Sequence, residues 1–452
     1  MKPMIFPKEL SGVKKISFFG LGKSNLSLLH TLPLGGISVR IRSEKPIDEE
    51  LLPEGQKIDS VYIGERAFSD INEELIVASP SLRRERLELC EAAARGVRFT
   101  SDAELFFSQG DTRPVVGITG SDGKSTTATL VFEMLSRVKK TALIGNIGTP
   151  MYESLSTGAE CFVAELSSFM LRYLKPRLEC AAITSLTPNH LNWHSSLSEY
   201  KETKLSIIDG AKRTVLSADS PLLPIRSAFA LTGTKFDYET LKNRAKCEYY
   251  FTYRDGFIER NGERLVSDDS FLRKEGYYIK NCLTALAICE GVVPLRDRLD
   301  VISSFGGLRH RCEKFLCAGG IDFIDSSIDT SPERCSATLE SVEGPVILIL
   351  GGRGKGASYA TLAAAIEGKV RTVVATGEDT DKIYKELGGV VSILRAPLFH
   401  DAVCRAVTLA RCGDAVLLSP AATSYDTFSS FEERGREFKK IVSSLMKTEN
   451  GK

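Results

Sequence analysis

The residues that could do chemistry begin with Gly117-Ile-Thr-Gly-Ser-Asp-Gly-Lys-Ser-Thr-Thr127. An apolar Pro-Val-Val precedes this stretch, and the helical pattern Ala128-Thr-Leu-Val-Phe-Glu-Met-Leu135 follows it. Strand, glycine loop, Lys-Ser and helix is the layout of a phosphate-binding loop. Backbone N–H groups of Gly120, Ser121, Asp122 and Gly123, together with the positive helix N-terminus, would face an anion. Lys124 adds a mobile positive charge, and the hydroxyl of Ser125 or Thr126 can sit on Mg²⁺. The usual pattern has glycine where Ile118 stands, so this is a variant loop whose glycines start at Gly120.

Further groups follow in chain order. Glu165 ends the apolar run Cys161-Phe-Val-Ala. A carboxylate at the carboxyl end of a strand, near a phosphate loop, suits Mg²⁺, and it equally suits an incidental acid at a helix start. His190 and His194 are four apart, but no Glu sits between them and no third ligand is evident. Zinc is therefore set aside, and His190 better suits contact with metal-bound water or phosphate. Lys204 is a surface lysine by default. Buried near a metal, its neutral amine could take up CO₂ as a carbamate. Arg311 could hold a phosphate or stack on a base. Gly351-Gly-Arg-Gly-Lys-Gly356 is a second glycine-rich anion loop, carrying Lys355, and Leu418-Ser-Pro-Ala-Ala-Thr-Ser424 ends a strand in hydroxyls.

These groups need a scaffold, and the pattern is that of an α/β protein. Buried strands alternate with helices, which predicts parallel, doubly wound sheets. Val13–Phe19, then Gly20-Leu-Gly-Lys-Ser, a helix to Leu32 and the strand Ile37–Ile41 form a nucleotide-binding βαβ start. Residues 246–266, with Asp255-Gly256 and Asn261-Gly262, read as short antiparallel strands joined by tight turns. Polar Gln109–Pro114 and Phe305-Gly-Gly307 mark boundaries, giving expected domains 1–110, 111–306 and 307–452. The chain has 452 residues and a net charge of +1, so bulk charge makes no case for nucleic acid or an anionic membrane. No apolar run approaches a membrane span, and the first residues lack the apolar core of a secretory leader. The 11 cysteines are scattered without a Cys-x-x-Cys pair, which fits free thiols in a reducing cytoplasm.

Taken together, the motifs resemble the Mur ligases, the ADP-forming amide ligases of peptidoglycan precursor synthesis. Gly120 to Thr126, Gly145-Asn-Ile-Gly148, Glu165-Leu-Ser-Ser-Phe169, His190 to Lys204, Gly307 to Arg311, and Leu418 to Phe438 follow the family's motifs in order. The resemblance covers almost the whole chain, and the Glu-Leu-Ser-Ser-Phe and C-terminal strings favour the D-glutamate-adding branch. It implies three domains: a Rossmann-like N-terminal domain for the UDP substrate, a central P-loop ATPase-type parallel sheet with a small antiparallel sheet, and a Rossmann-like C-terminal domain. The implied partners are ATP, Mg²⁺ in one or two ions, UDP-N-acetylmuramoyl-L-alanine and D-glutamate, in a monomer without nucleic-acid or membrane partners.

The resemblance also assigns roles. Lys124, His190, Lys204 and Lys355 would be catalytic, and Gly120 to Thr126, Asn281 and Arg311 would hold ATP. Ser125, Glu165, His190 and a carbamylated Lys204 would hold metal. Gly22, Lys23, Ser24, Ser43 and Asn146 would meet the UDP substrate, and Thr330, Lys355, Ser424 and Phe431 the amino acid. The substrate carboxylate would attack the γ-phosphate of ATP, and the amine would then attack the acyl phosphate, with domain closure excluding water. There are departures from the family. Ser326 and Ile328 replace its frequent Asp and Lys, unless Asp325 takes the acid's ribose contact. Asn189 and Asn192 stand where acids are frequent, and Tyr278 where Asn often precedes Asn281. Two other readings fit the same motifs: a related Mur or folylpolyglutamate-type ligase with a different acceptor, and a non-catalytic nucleotide-binding protein.

Overall fold

The computed structural model describes residues 7–47, 52–53, 55–191, 193–224, 227–270, 276–354, 358–428 and 430–449. The chain forms two compact units, one running through Phe305 and the other beginning at Gly306.

The first unit holds two sheets. Strands β1 (Lys15–Phe19), β2 (Ser38–Ser43), β3 (Ile58–Ile63), β4 (Leu75–Ala78) and β5 (Arg98–Thr100) lie in the order β3-β2-β1-β4-β5, all parallel. The order reverses between β1 and β4, and ligands of open α/β sheets sit beyond the carboxyl ends of strands at such a point. The second sheet contains β6 (Val115–Thr119), β7 (Thr141–Gly145), β8 (Cys161–Glu165), β9 (Leu178–Ile183), β10 (Ala211–Ser217), β11 (Ala230–Gly233), β12 (Tyr249–Arg254), β13 (Phe257–Arg260) and β14 (Glu263–Ser267). Its order is β14-β13-β12-β11-β10-β9-β6-β8-β7. Every residue of β6 and β8 is buried, as strands covered on both faces must be.

The antiparallel strands expected near residues 246–266 are present, but they continue the main sheet. β12 pairs parallel to β11, and only β13 and β14 reverse. Both turns there carry positive φ at two successive residues, 49° and 80° at Asp255-Gly256 and 51° and 83° at Asn261-Gly262. That geometry matches the right-handed twist of a hairpin and is why Asp-Gly and Asn-Gly occupy it.

The second unit is a six-stranded sheet in the order β15-β16-β20-β17-β18-β19, made of β15 (Glu313–Ala318), β16 (Ile321–Asp325), β17 (Val346–Gly351), β18 (Val370–Thr376), β19 (Ser392–Arg395) and β20 (Ala415–Leu418). β15 is antiparallel, and the others are parallel. Helices Phe399–Leu409 and Phe431–Glu449 cover one face, where Val403, Ala406, Phe438 and Val442 pack on Ile347 and Ile349. Among the described residues, no helix is long and apolar enough to cross a membrane.

Candidate functional site

The phosphate loop connects β6 to helix Lys124–Ser136. Its first half is fastened to the segment after β9. Ser121 N–H donates to the Ser185 carbonyl at 3.0 Å, and Asp122 N–H donates to Ser185 Oγ at 2.8 Å. Ser121 Oγ meets Tyr200 Oη at 2.7 Å. The helix that follows begins at Lys124, and the backbone N–H groups of a first helical turn favour an anion. Gly123 caps that helix at φ 78°, and a side chain there would lie 2.2 Å from Asn281 Oδ1. Asn281, more than 150 residues away in sequence, thus lies against the loop, and Thr127 Oγ1 meets its Oδ1 at 3.3 Å. Lys124 Nζ donates to the carbonyls of Gly120 and Ser121 at 2.9 and 2.8 Å.

Lys204 is brought to the same loop by helix Leu197–Leu205. It is 2 % exposed, and its Nζ donates to the Gly120 carbonyl at 2.8 Å and lies 3.3 Å from Thr119 Oγ1. Burial, reinforced by the charge of Lys124, lowers its pKa to about 7. A lysine so placed is substantially neutral near pH 7, the condition for carbamate formation. His190 has its pKa lowered by burial and by the charges of Lys204, Lys124 and His194. The shift favours the neutral imidazole, which has a lone pair to offer. Its backbone takes φ 53°, a left-handed conformation uncommon outside glycine. His194 has no such freedom, because its Nδ1 is 3.1 Å from Glu199 Oε1 and its Nε2 is 3.0 Å from Ser168 Oγ. Both ring nitrogens are engaged, so a zinc pair with His190 is not formed.

Glu165 closes β8 at 1 % exposure. Its Oε1 accepts from Asn146 Nδ2 at 2.7 Å, and its Oε2 is buried without a hydrogen-bond partner among the described residues. A buried carboxylate oxygen left unpaired is costly, and a hard cation is the natural complement. Glu165 supplies an oxygen ligand of the kind Mg²⁺ takes, and the Ser125 hydroxyl on the phosphate loop is a second donor of that kind. Gly145 explains how Asn146 gets there. At φ 99°, with a side chain's place only 2.4 Å from the Glu165 carbonyl, only glycine lets the chain fold onto β8.

Asn146 also faces a cavity of about 210 Å³ at the carboxyl ends of β1 and β4. Gly22, Lys23 and Ser24 from the loop after β1 line it with Ser79, Pro80, Asp102 and Phe169. Three of the residues expected for the UDP substrate thus meet Asn146 at one pocket, while Ser43, at the end of β2, does not line it. Lys23 Nζ donates to the Gly148 carbonyl at 2.7 Å. Asp102, not singled out from sequence, accepts from the N–H groups of Met151 and Tyr152 at 2.8 and 2.9 Å. Burial raises its pKa to about 6. Arg42 is wholly buried, its guanidinium donating to Glu73 and to the carbonyls of Ala67, Ser69 and Asp70. It serves the fold. Tyr278 does too, with its hydroxyl donating to the Ile302 carbonyl at 2.7 Å.

In the second unit, Ser326–Thr330 follows β16, Gly351–Gly354 ends β17 and Ser419–Ser424 follows β20. Arg434, 2 % exposed, ties two of these together. Its Nε donates to Ser327 Oγ, and its Nη2 to the carbonyls of Ser327 and Ala422, each at 3.0 Å. Thr330 and Ser424 lie on the joined loops, and Phe431 starts the helix bearing Arg434. Lys355, like Asn192, lies outside the described residues. Arg311 is exposed, beside His310. Asp325, the alternative for the missing acid, is tied into the fold. It is fully buried, with Oδ2 2.7 Å from His310 Nδ1 and Oδ1 accepting from Ser327 N–H. Ser326 is equally buried, its hydroxyl accepting from Cys312 N–H. The cluster of His310, Glu313 and Asp325 has metal-like spacing, but Lys439 Nζ already sits 2.5 Å from Glu313 and 3.5 Å from Asp325.

Comparison with known proteins agrees with this geometry. Residues 118–287 match the Mur ligase middle domain, and residues 310–422 match the Mur ligase glutamate ligase domain. A UDP-N-acetylmuramoylalanine–D-glutamate ligase of Ruminiclostridium cellulolyticum is 32% identical, over 97% of this chain and 98% of that protein. The protein of the same name from Pseudomonas putida is 34% identical, over 94% of this chain and 96% of its own length. The crystal structure of the UDP-N-acetylmuramate-alanine ligase of Thermotoga maritima shares the fold, with a TM-score of 0.58 at 17% identity over 95% of this chain and 99% of that one.

Proposed function

The chain belongs to the Mur ligase family, and on that premise we propose that it is an ADP-forming ligase that joins D-glutamate to UDP-N-acetylmuramoyl-L-alanine. The observation that carries the reading is the convergence, on one phosphate loop, of Lys124, buried Lys204 and Asn281, with the Asn146–Glu165 pair linking the neighbouring pocket to the Glu165 oxygen that has no partner among the described residues. The same reading divides the chain at 1–110 for the UDP substrate, 111–306 for ATP and 307–452 for the amino acid. It makes the protein a cytoplasmic monomer of cell-wall synthesis, and so of cell shape and division, with no nucleic-acid or membrane partner.

Each residue then has a task. The first-turn N–H groups from Gly123 to Thr126 and the Lys124 ammonium hold the ATP phosphates, and Lys124 offsets charge on the transferring phosphoryl group. Asn281 and Arg311 contact the nucleotide. Gly22, Lys23, Ser24 and Asn146 orient the UDP substrate so that its terminal carboxylate meets the γ-phosphate. Ser125, Glu165, His190 and carbamylated Lys204 hold one or two Mg²⁺ ions, which, when bound, supply charge neutralisation across the phosphates. ADP leaves, and the carboxylate has become an acyl phosphate. Thr330, Lys355, Ser424 and Phe431 hold D-glutamate, whose neutral amine attacks the acyl carbon. The tetrahedral adduct expels inorganic phosphate and loses the amine proton, leaving the amide. ADP release with UDP-N-acetylmuramoyl-L-alanine should depend on D-glutamate. Release driven by L-lysine or diaminopimelate and not by D-glutamate would overturn the assignment.

A further inference from the structure

We propose that Trp193 is a positioning residue that fastens the His190 turn to the wall of the nucleotide-sugar pocket, so that filling the pocket and aiming His190 are one mechanical event. The pocket's ligand class rests on the function proposed above, but the linkage rests on geometry alone. Trp193 is the chain's single tryptophan. Its indole N–H donates to the Ser81 carbonyl at 2.8 Å, reaching from the segment after β9 to the segment after β4. Its ring lies 4.5 Å from Phe169, and the Arg83 guanidinium sits 5.9 Å over it. Phe169 in turn touches the His190 ring, with centroids 5.0 Å apart, and lines the pocket beside Ser79 and Pro80.

His190 needs such an anchor. Its left-handed backbone is held by a turn in which the N–H groups of Trp193 and His194 both donate to the His190 carbonyl at 3.0 Å. A non-glycine residue stays in that region only when its surroundings over-determine it. His194 anchors one arm of the turn within its own domain, through Ser168 and Glu199. Trp193 anchors the other arm across to the loop that follows β4. A ligand pressing on Ser79, Pro80 and Phe169 therefore acts on both supports of the Trp193 ring, and through them on the turn that carries His190.

Two measurements on the full-length enzyme test this. Because there is one tryptophan, intrinsic emission reports this position alone. UDP-N-acetylmuramoyl-L-alanine, added without ATP, should shift the emission saturably, and a silent tryptophan at saturating ligand would overturn the proposal. Trp193→Phe keeps a ring against Phe169 but removes the N–H donor, and Trp193→Leu removes both. The expected result is a KM for the UDP substrate raised about tenfold in the Phe variant and further in the Leu variant, with the KM for D-glutamate and the melting temperature unchanged. Unchanged KM values in both variants would contradict the proposal, as would a uniform loss of all constants together with stability. The emission readout needs no turnover. A silent tryptophan in an active D-glutamate ligase would remove the linkage alone, whereas a responsive one in a protein inactive with D-glutamate would remove only the acceptor assignment.

Discussion

Asn146 Nδ2 donates to Glu165 Oε1 across 2.7 Å, so a residue lining the cavity beside β1 and β4 holds one oxygen of the carboxylate whose other oxygen has no partner among the described residues. Partners that orient a metal-binding carboxylate typically account for about 10–100-fold in metal affinity. Asn146→Ala should raise the Mg²⁺ concentration for half-maximal ADP release by about that factor. A Mg²⁺ titration identical to wild type would show that the pair orients nothing.

Lys204 yields a pH prediction with a definite sign. In the ligand-free protein its pKa falls from 10.5 to about 7. Between those values the unfolded chain holds a proton that the folded chain has released, so this residue's contribution makes stability rise with pH across that window. Lys204→Met should flatten the rise, measured as urea midpoints from pH 7 to 10 for both proteins. Lys204→Ala should lose most activity and recover part of it with added short carboxylates that replace the carbamate. Full activity in that variant would remove the carbamate from the account.

Lys124→Ala should abolish turnover, since no other described side chain brings an ammonium to the Gly120 and Ser121 carbonyls from within the loop. Near-wild-type phosphate release from the purified variant would mean the ATP site lies elsewhere.

Gly435 is a packing prediction. A side chain there would sit 2.2 Å from His310 Nδ1 and 2.7 Å from Asp325 Oδ2, both buried. Gly435→Ala should cost about 1–3 kcal/mol through overpacking, seen as a lower urea midpoint for the C-terminal unit. An unchanged midpoint would show that the helix shifts freely.

The sequence was most legible where one segment carries its own signal. The phosphate loop, the buried strands β6, β8 and β17, and the Asp-Gly and Asn-Gly turns all lie in the structure as their patterns predict. What the pattern did not convey is pairing. Nothing local in Tyr249–Arg254 says that it lies parallel to Ala230–Gly233, so the antiparallel strands could not be seen to extend the main sheet. The site followed the same rule. Lys204 and Asn281 became site residues only through contacts more than 80 and 150 residues distant, which the family's motifs supplied and spacing could not. Asp102, Arg434 and Trp193 went unread because an acid, an arginine or a lone aromatic acquires meaning only from the backbone groups it reaches. Glycine offered the one missed hint. Gly435, next to Arg434, leaves room for His310 and Asp325, and a glycine inside a helical pattern asks for such a reason.

The most direct test of the account follows an oxygen atom. UDP-N-acetylmuramoyl-L-alanine labelled with oxygen-18 in its terminal carboxylate is incubated with ATP, Mg²⁺ and D-glutamate, and the released phosphate is analysed by mass. An acyl-phosphate ligase must deliver one labelled oxygen into each phosphate as the amide forms, and only when D-glutamate is present. Unlabelled phosphate, or label released by another amino acid and not by D-glutamate, would contradict it.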